Sequence, residues 1–94
     1  MTYLKLTSNL DASAVAALKP TLELLTTGES NVCLDLSGVN HIDPSGVGAL
    51  AFLYKRLRTR NRVLSVVSAH GQPLTLLRQL GLATVLTPPL RRAA

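Results

Sequence analysis

The segment that decides the fold reads Val32-Cys33-Leu34-Asp35-Leu36-Ser37-Gly38-Val39, then Asn40, then His41-Ile42-Asp43-Pro44-Ser45-Gly46-Val47-Gly48. In its first half Val32, Leu34 and Leu36 fall on one side of an extended chain and Cys33 and Asp35 on the other, which predicts a strand over 32–39. Its second half opens a helix. Asp43 can cap it, and Pro44 suits the first helical position, where a missing N–H has no partner to lose. Val47, Leu50, Leu53, Tyr54 and Leu57 then recur at helical spacing, and the helix is expected to stop near Arg58 to Asn61.

The same alternation extends to both sides. Tyr3 to Leu10 reads as a strand, with Tyr3, Leu4 and Leu6 apolar and Thr7 and Ser8 closing it. Asp11 and Ser13 offer cap oxygens to a helix whose face is Val15, Leu18, Leu22 and Leu25, with Pro20 either kinking it or starting its second part and Gly28 ending it. Downstream, Val63 to Val67 reads as a strand covered on both faces. A Gly71-Gln72-Pro73 turn leads to a short helix marked by Leu74, Leu77 and Leu80 and capped by Gly81. Thr84 to Leu86 is expected to add a last strand before Pro88 and Pro89. Strand and helix alternate throughout, the pattern of a mainly parallel sheet with right-handed crossovers.

Length and composition bound the rest. The 94 residues, 47% of them hydrophobic and 16% charged, suit one packed domain over 1–94, with residues 1–2 and 90–94 expected to fray. No apolar run approaches the roughly 20 residues of a membrane span, and the start MTYLKLTSNLD lacks the pattern of a secretory signal. One cysteine, Cys33, excludes a disulfide framework and a thiolate zinc site, and neither His41 nor His70 has a repeated ligand neighbour. The expectation is a cytoplasmic domain with no metal and no cofactor.

The formal net charge of +5 sits in one place. Lys55, Arg56, Arg58, Arg60 and Arg62 crowd into eight positions, while the other basic and acidic residues cancel. Such a cluster attracts an anionic partner, or it is a solvated helix end whose cations complement the helix dipole, and the second is the more economical explanation. Tyr3, Phe52 and Tyr54 are too few to build a base-stacking platform, which disfavours nucleic acid.

Chemistry concentrates at the helix start. Asp43, Pro44 and Gly46 are explained by capping and tight strand-to-helix packing alone, but Ser45 is not. Its hydroxyl is expected to be exposed where free N–H groups and the helix dipole tolerate an anion. Gly46-Val47-Gly48-Ala49-Leu50-Ala51 fits a dinucleotide fingerprint, yet no acid follows Asp43 to hold a ribose. A serine hydrolase would need a nucleophile elbow, which Asp43-Pro44-Ser45-Gly46-Val47 is not, although His41, His70, Asp35 and Asp43 are conceivable partners. The third reading is a phosphorylation switch. A phosphate on Ser45 adds roughly −2 charge, which the helix start accommodates and a docked partner does not.

Four pieces in order carry a family resemblance: Asn9-Leu10-Asp11; Val32-Cys33-Leu34-Asp35-Leu36-Ser37-Gly38-Val39; Ile42-Asp43-Pro44-Ser45-Gly46-Val47-Gly48-Ala49-Leu50; and Leu76-Leu77-Arg78-Gln79-Leu80-Gly81-Leu82. Over roughly Tyr3 to Leu86 the chain resembles the STAS domain, the fold of bacterial anti-sigma factor antagonists. The resemblance implies a small α/β fold with a mixed, mainly parallel sheet of four to five strands and helices packed on one side. It implies a non-enzymatic signalling module of transcription regulation, phosphorylated by a partner serine kinase that is also an anti-sigma factor. Ser45 matches the acceptor serine, and Asp43 the acidic residue before it. Pro44 departs from the family's hydroxyl residue. Partner binding would involve Asp43, Pro44, Ser45, Gly46, Val47, Gly48 and Leu50. Another branch of the family serves as small cytoplasmic subunits of phospholipid-transport ABC systems and docks on the ATPase.

Overall fold

The computed structural model describes residues 1–82 and Val85. The elements run β1 (Thr2–Lys5), α1 (Ala12–Thr27), β2 (Val32–Asp35), α2 (Pro44–Arg58), β3 (Leu64–Val67) and α3 (Gly71–Gln79). The three strands form one parallel sheet in the order β1-β2-β3. Among the described residues the sheet therefore has three strands, where four to five were expected. The expected fourth, Thr84 to Leu86, falls mostly outside the described residues, and its described member Val85 donates its N–H to the Leu82 carbonyl at 3.0 Å.

Register explains which face is covered. Thr2, Val32 and Leu64 lie side by side, as do Leu4, Leu34 and Val66, and the next pair along includes Leu6 and Leu36. Val32, Leu34, Leu36, Leu64 and Val66 are buried, and this face packs with Leu50, Leu53 and Leu57 of α2, Leu25 of α1 and Leu77 of α3 into one core. The opposite face carries exposed Tyr3 and Lys5 at the β1 edge, half-buried Asp35, Ser65 and Val67, and buried Cys33 in the middle strand. Among the described residues β3 is thus covered fully on one face only, not on both: Ser65 and Val67 on the other face are half-buried, and Val63 just before the strand is exposed. Burial in the middle strand, and the nearby Asp35 carboxylate, push the Cys33 thiol up from its ordinary range. The backbone N–H and hydroxyl of Ser37 hold the Asp35 carboxyl below its usual range, and Tyr3 donates its hydroxyl to it at 3.0 Å.

Local chemistry sets the ends. Asp11 caps α1 through a 2.8 Å bond from the Ala14 N–H. Pro20 sits within α1 on an exposed position, and the helix continues through it to Thr27. Thr2, expected to fray, starts β1 and donates to the Asn31 carbonyl at 2.8 Å. β1 ends earlier than the predicted Leu10, but the chain beyond it returns to the sheet axis, where Leu10 bridges Ile42 in parallel. The Gly71-Gln72-Pro73 stretch is the first turn of α3 and not a separate turn. Gly81, at φ +76, takes the left-handed position just past that helix, and the Leu82 N–H closes it on the Leu77 carbonyl at 2.9 Å.

Candidate functional site: the start of α2

The amino end of α2 is fastened from three sides. Asp43 caps it, accepting the Gly46 N–H at 3.1 Å, while the Val47 N–H reaches the Asp43 carbonyl at 3.0 Å. From one side Asn9 Oδ1 accepts the N–H groups of Asn40 and His41, and Leu10 exchanges backbone bonds with His41 and Asp43. From the other side Gln72, in the first turn of α3, grips the Ile42 peptide at both ends. Its Oε1 accepts the Ile42 N–H and its Nε2 donates to the Ile42 carbonyl, each at 2.9 Å. Two such bonds from one amide side chain imitate a rung of sheet pairing. Asn9 and Gln72 were not singled out by sequence reasoning. Asn9 stands in the Asn9-Leu10-Asp11 motif without a role of its own, and Gln72 was absorbed into a turn; only the three-dimensional meeting of residues 9, 42 and 72 reveals the clamp.

Gly46 and Gly48 do different jobs. A Cβ on Gly46 would lie 2.7 Å from Ile42 Cγ2, 2.7 Å from the Leu10 carbonyl oxygen and 2.8 Å from Leu10 Cβ. Only glycine lets α2 press this close to the Leu10–Ile42 bridge. A Cβ on Gly48 would meet nothing within 4 Å. Gly48 leaves outer space empty and is not needed for packing.

Ser45 follows on the second helical position and is exposed, as are Pro44 and Gly48, while Asp43 and Val47 are half-buried and Gly46 and Leu50 buried. Leu50, expected among the partner-binding residues, belongs to the core and is not part of the exposed surface. The Ser45 hydroxyl has no hydrogen-bond partner among the described residues. Among the described residues neither histidine is hydrogen-bonded to it. His41 is exposed, and the His70 ring meets the Ser37 carbonyl at 3.2 Å. The Ser45 hydroxyl is thus presented to the outside at the first turn of α2. Beside it an open groove of about 420 Å³ is lined by His41, Asp43, Pro44, Val47, Gln72 and Leu76. Among the described residues no cluster of three His, Cys, Asp or Glu side chains is placed to hold a metal ion, and no helix is long and apolar enough to cross a membrane.

The other end of α2 holds the basic cluster, and one member leaves it. Arg62 is only 8% exposed. Its guanidinium donates to the carbonyls of Ser30 at 2.8 Å, Thr26 at 3.0 Å and Leu25. α1 has no basic residue in its own last turn, so Arg62 supplies the cation and the donors that its carboxyl end lacks. The surface cluster is thus Lys55, Arg56, Arg58 and Arg60, all exposed. Arg58 donates to the Tyr54 hydroxyl at 2.7 Å, and Arg56 lies 5.2 Å from the Phe52 ring centre.

Comparison with known proteins fits this architecture. The solved structure of the anti-sigma factor antagonist SpoIIAA in its unphosphorylated form superposes with a TM-score of 0.67 at 15% identity, over 97% of this chain and 79% of that one. At that identity the likeness establishes the fold. No curated protein sequence matches the chain. The family model described as Mlab, STAS domain, matches residues 2–88, nearly all of the sequence, and the chain belongs to that STAS family.

Proposed function

We propose that the domain is a regulatory, non-enzymatic protein-binding module resembling an anti-sigma factor antagonist. It docks a protein partner through the start of α2, and phosphorylation of Ser45 by a partner anti-sigma serine kinase releases that partner. The observation that carries the reading is the contrast at one turn of helix: an exposed, unpartnered hydroxyl on Ser45, mounted on a backbone fastened by Asp43, Asn9 and Gln72. A phosphate there breaks no bond inside the domain, and the helix dipole favours it. It also stands next to the Asp43 carboxylate, and together they present concentrated negative charge to anything that docks. Gly48 leaves room for the partner's backbone, and Pro44 and Val47 border the groove it would enter.

A second reading keeps the docking face and changes the partner: a small cytoplasmic subunit of a phospholipid-transport ABC system that binds the ATPase. Pro44 favours it, standing where phosphorylated members carry a hydroxyl, and the matching family model bears the Mlab name and not that of the antagonists. Capture from native cells on the tagged domain, with mass spectrometry of Ser45, separates the two. A co-purifying serine kinase and phosphate on Ser45 support the first. An ATPase with membrane components and unmodified Ser45 support the second.

A further inference from the structure

The outward side of α2 is one continuous strip. Ser45, Gly48, Phe52, Lys55, Arg56 and Thr59 recur at spacings that share a helix face, opposite the buried Leu50, Leu53 and Leu57. At its middle Phe52 is 42% exposed, a large apolar side chain without a place in the core. Beside Phe52, α1 and α2 leave an open groove of about 300 Å³, lined by Val15, Leu22, Ala49 and Phe52 and flanked by Lys19 and Glu23. One turn further along stand two exposed cations, Lys55 and Arg56, with Arg58 and Arg60 beyond them. Among the described residues Lys55 and Arg60 have no side-chain partner, and Arg56 and Arg58 engage only aromatic side chains. No carboxylate within the described residues forms an ion pair with them, and no Asp or Glu follows Asp43 in the sequence, so their charge faces outward unmatched.

We propose that the α1–α2 groove and the basic end of α2 together seat one acidic amphipathic helix of the protein partner. An apolar side chain of that helix enters the groove against Phe52, and carboxylates about one turn away lie over Lys55 and Arg56. The proposal rests on the docking function assigned to α2 and names the chemistry of the partner. A flat lipid surface does not reach into a groove between two helices. A nucleic acid offers no aliphatic side chain for it, and Arg56 already covers Phe52. Lys55 and Arg56 lie about 16 Å from Ser45 along the axis, two Debye lengths at physiological salt. They therefore do not neutralise a phosphate on Ser45; they hold the far end of the partner in a fixed direction.

The test is an NMR titration of the domain with a synthetic amphipathic helical peptide bearing leucines on one face and glutamates at one end. Parallel titrations use the same peptide with lysines for the glutamates, phosphatidylglycerol vesicles and a single-stranded DNA oligomer. The acidic peptide is expected to shift the amides of Ala49 and Phe52 together with those of Lys55, Arg56 and Thr59. The double variant Lys55→Glu/Arg56→Glu should raise its Kd roughly tenfold at low salt, and the milder Lys55→Gln/Arg56→Gln several-fold, with the fold checked by the unchanged remainder of the spectrum. Equal binding of the lysine peptide would overturn the proposal. So would shifts confined to the basic end, or stronger binding of vesicles or DNA. Because Ser45 takes no part in this titration, such a failure would leave the docking reading to be judged by Ser45 variants alone.

Discussion

At its amino end α2 is held by directed bonds from neighbouring elements: the Asp43 cap, the paired bonds of Gln72 on Ile42, and the close approach that Gly46 permits. At its carboxyl end the helix stops on Thr59 and the chain reverses through Asn61 at φ +57. The basic residues around that stop divide into exposed cations and a single buried one, Arg62. The first end has rigid backbone under uncharged, small exposed residues. The second has long-stemmed charges on the surface, with the one cation that matters for folding turned inward to another helix. The difference separates what must keep its shape from what must carry charge. The proposed docking face rests on geometry at the first end and on charge at the second.

The sharpest way to break this comparison is inside the first end. Gly46→Ala forces a methyl group to within 2.7 Å of Ile42 and Leu10 and is expected to destabilise by about 1–3 kcal/mol. Gly48→Ala fills open space and removes a helix-interior glycine, so it should stabilise by about 0.5–1 kcal/mol. Urea midpoints that move in opposite directions confirm the division of labour; two losses would show that Gly48 also serves packing.

Within the basic segment the same contrast holds between neighbours of like charge. Arg62→Met leaves the Leu25, Thr26 and Ser30 carbonyls without donors, and a loss of about 1–3 kcal/mol is expected in thermal or urea unfolding. Arg62→Lys should recover little, since one ammonium cannot reproduce the planar fork. Arg60→Met, at an exposed position, should change stability by about 0.5 kcal/mol or less. Equal effects at 60 and 62 would contradict the placement of Arg62.

A smaller effect tests the clamp. Gln72→Ala removes both bonds to Ile42, at about 1 kcal/mol, a net figure for side-chain hydrogen bonds of this kind. The local signature is larger than the global one: hydrogen exchange at the Ile42 amide should quicken by more than the drop in overall stability explains. Exchange that tracks global unfolding alone would mean that Gln72 does not anchor this segment.

Much of this architecture was readable in the sequence, and for a physical reason. The strand-to-helix passage from Val32 to Gly48 combines period-two burial, an N-cap acid and a proline at the first helical position, all local signals. The capping role of Asp43 and the exposure of Ser45 follow from those same neighbours. What sequence could not show was non-local. Arg62 looks like its four basic neighbours, and its burial depends on α1 ending, far earlier in the chain, without a cation. Gln72 and Asn9 are polar residues in segments read as turn and strand end, and their work lies in meeting Ile42, Asn40 and His41 across the fold. Gly46 and Gly48 sit two positions apart in one motif, and only the neighbours of an added Cβ tell them apart. The reading of β3 as covered on both faces failed for the opposite reason: Val67 is apolar and Val63 just precedes the strand, yet no helix among the described residues covers that side.

The most direct measurement is the affinity of the captured partner for the domain carrying Ser45, Ser45→Ala and Ser45→Asp, by calorimetric titration beside thermal unfolding of each. Ser45→Ala should bind as the parent does. Ser45→Asp should bind at least roughly tenfold more weakly, with its thermal midpoint almost unmoved. Equal affinity for all three variants, or weakened binding only in step with lost stability, would contradict the claim that this exposed hydroxyl governs docking.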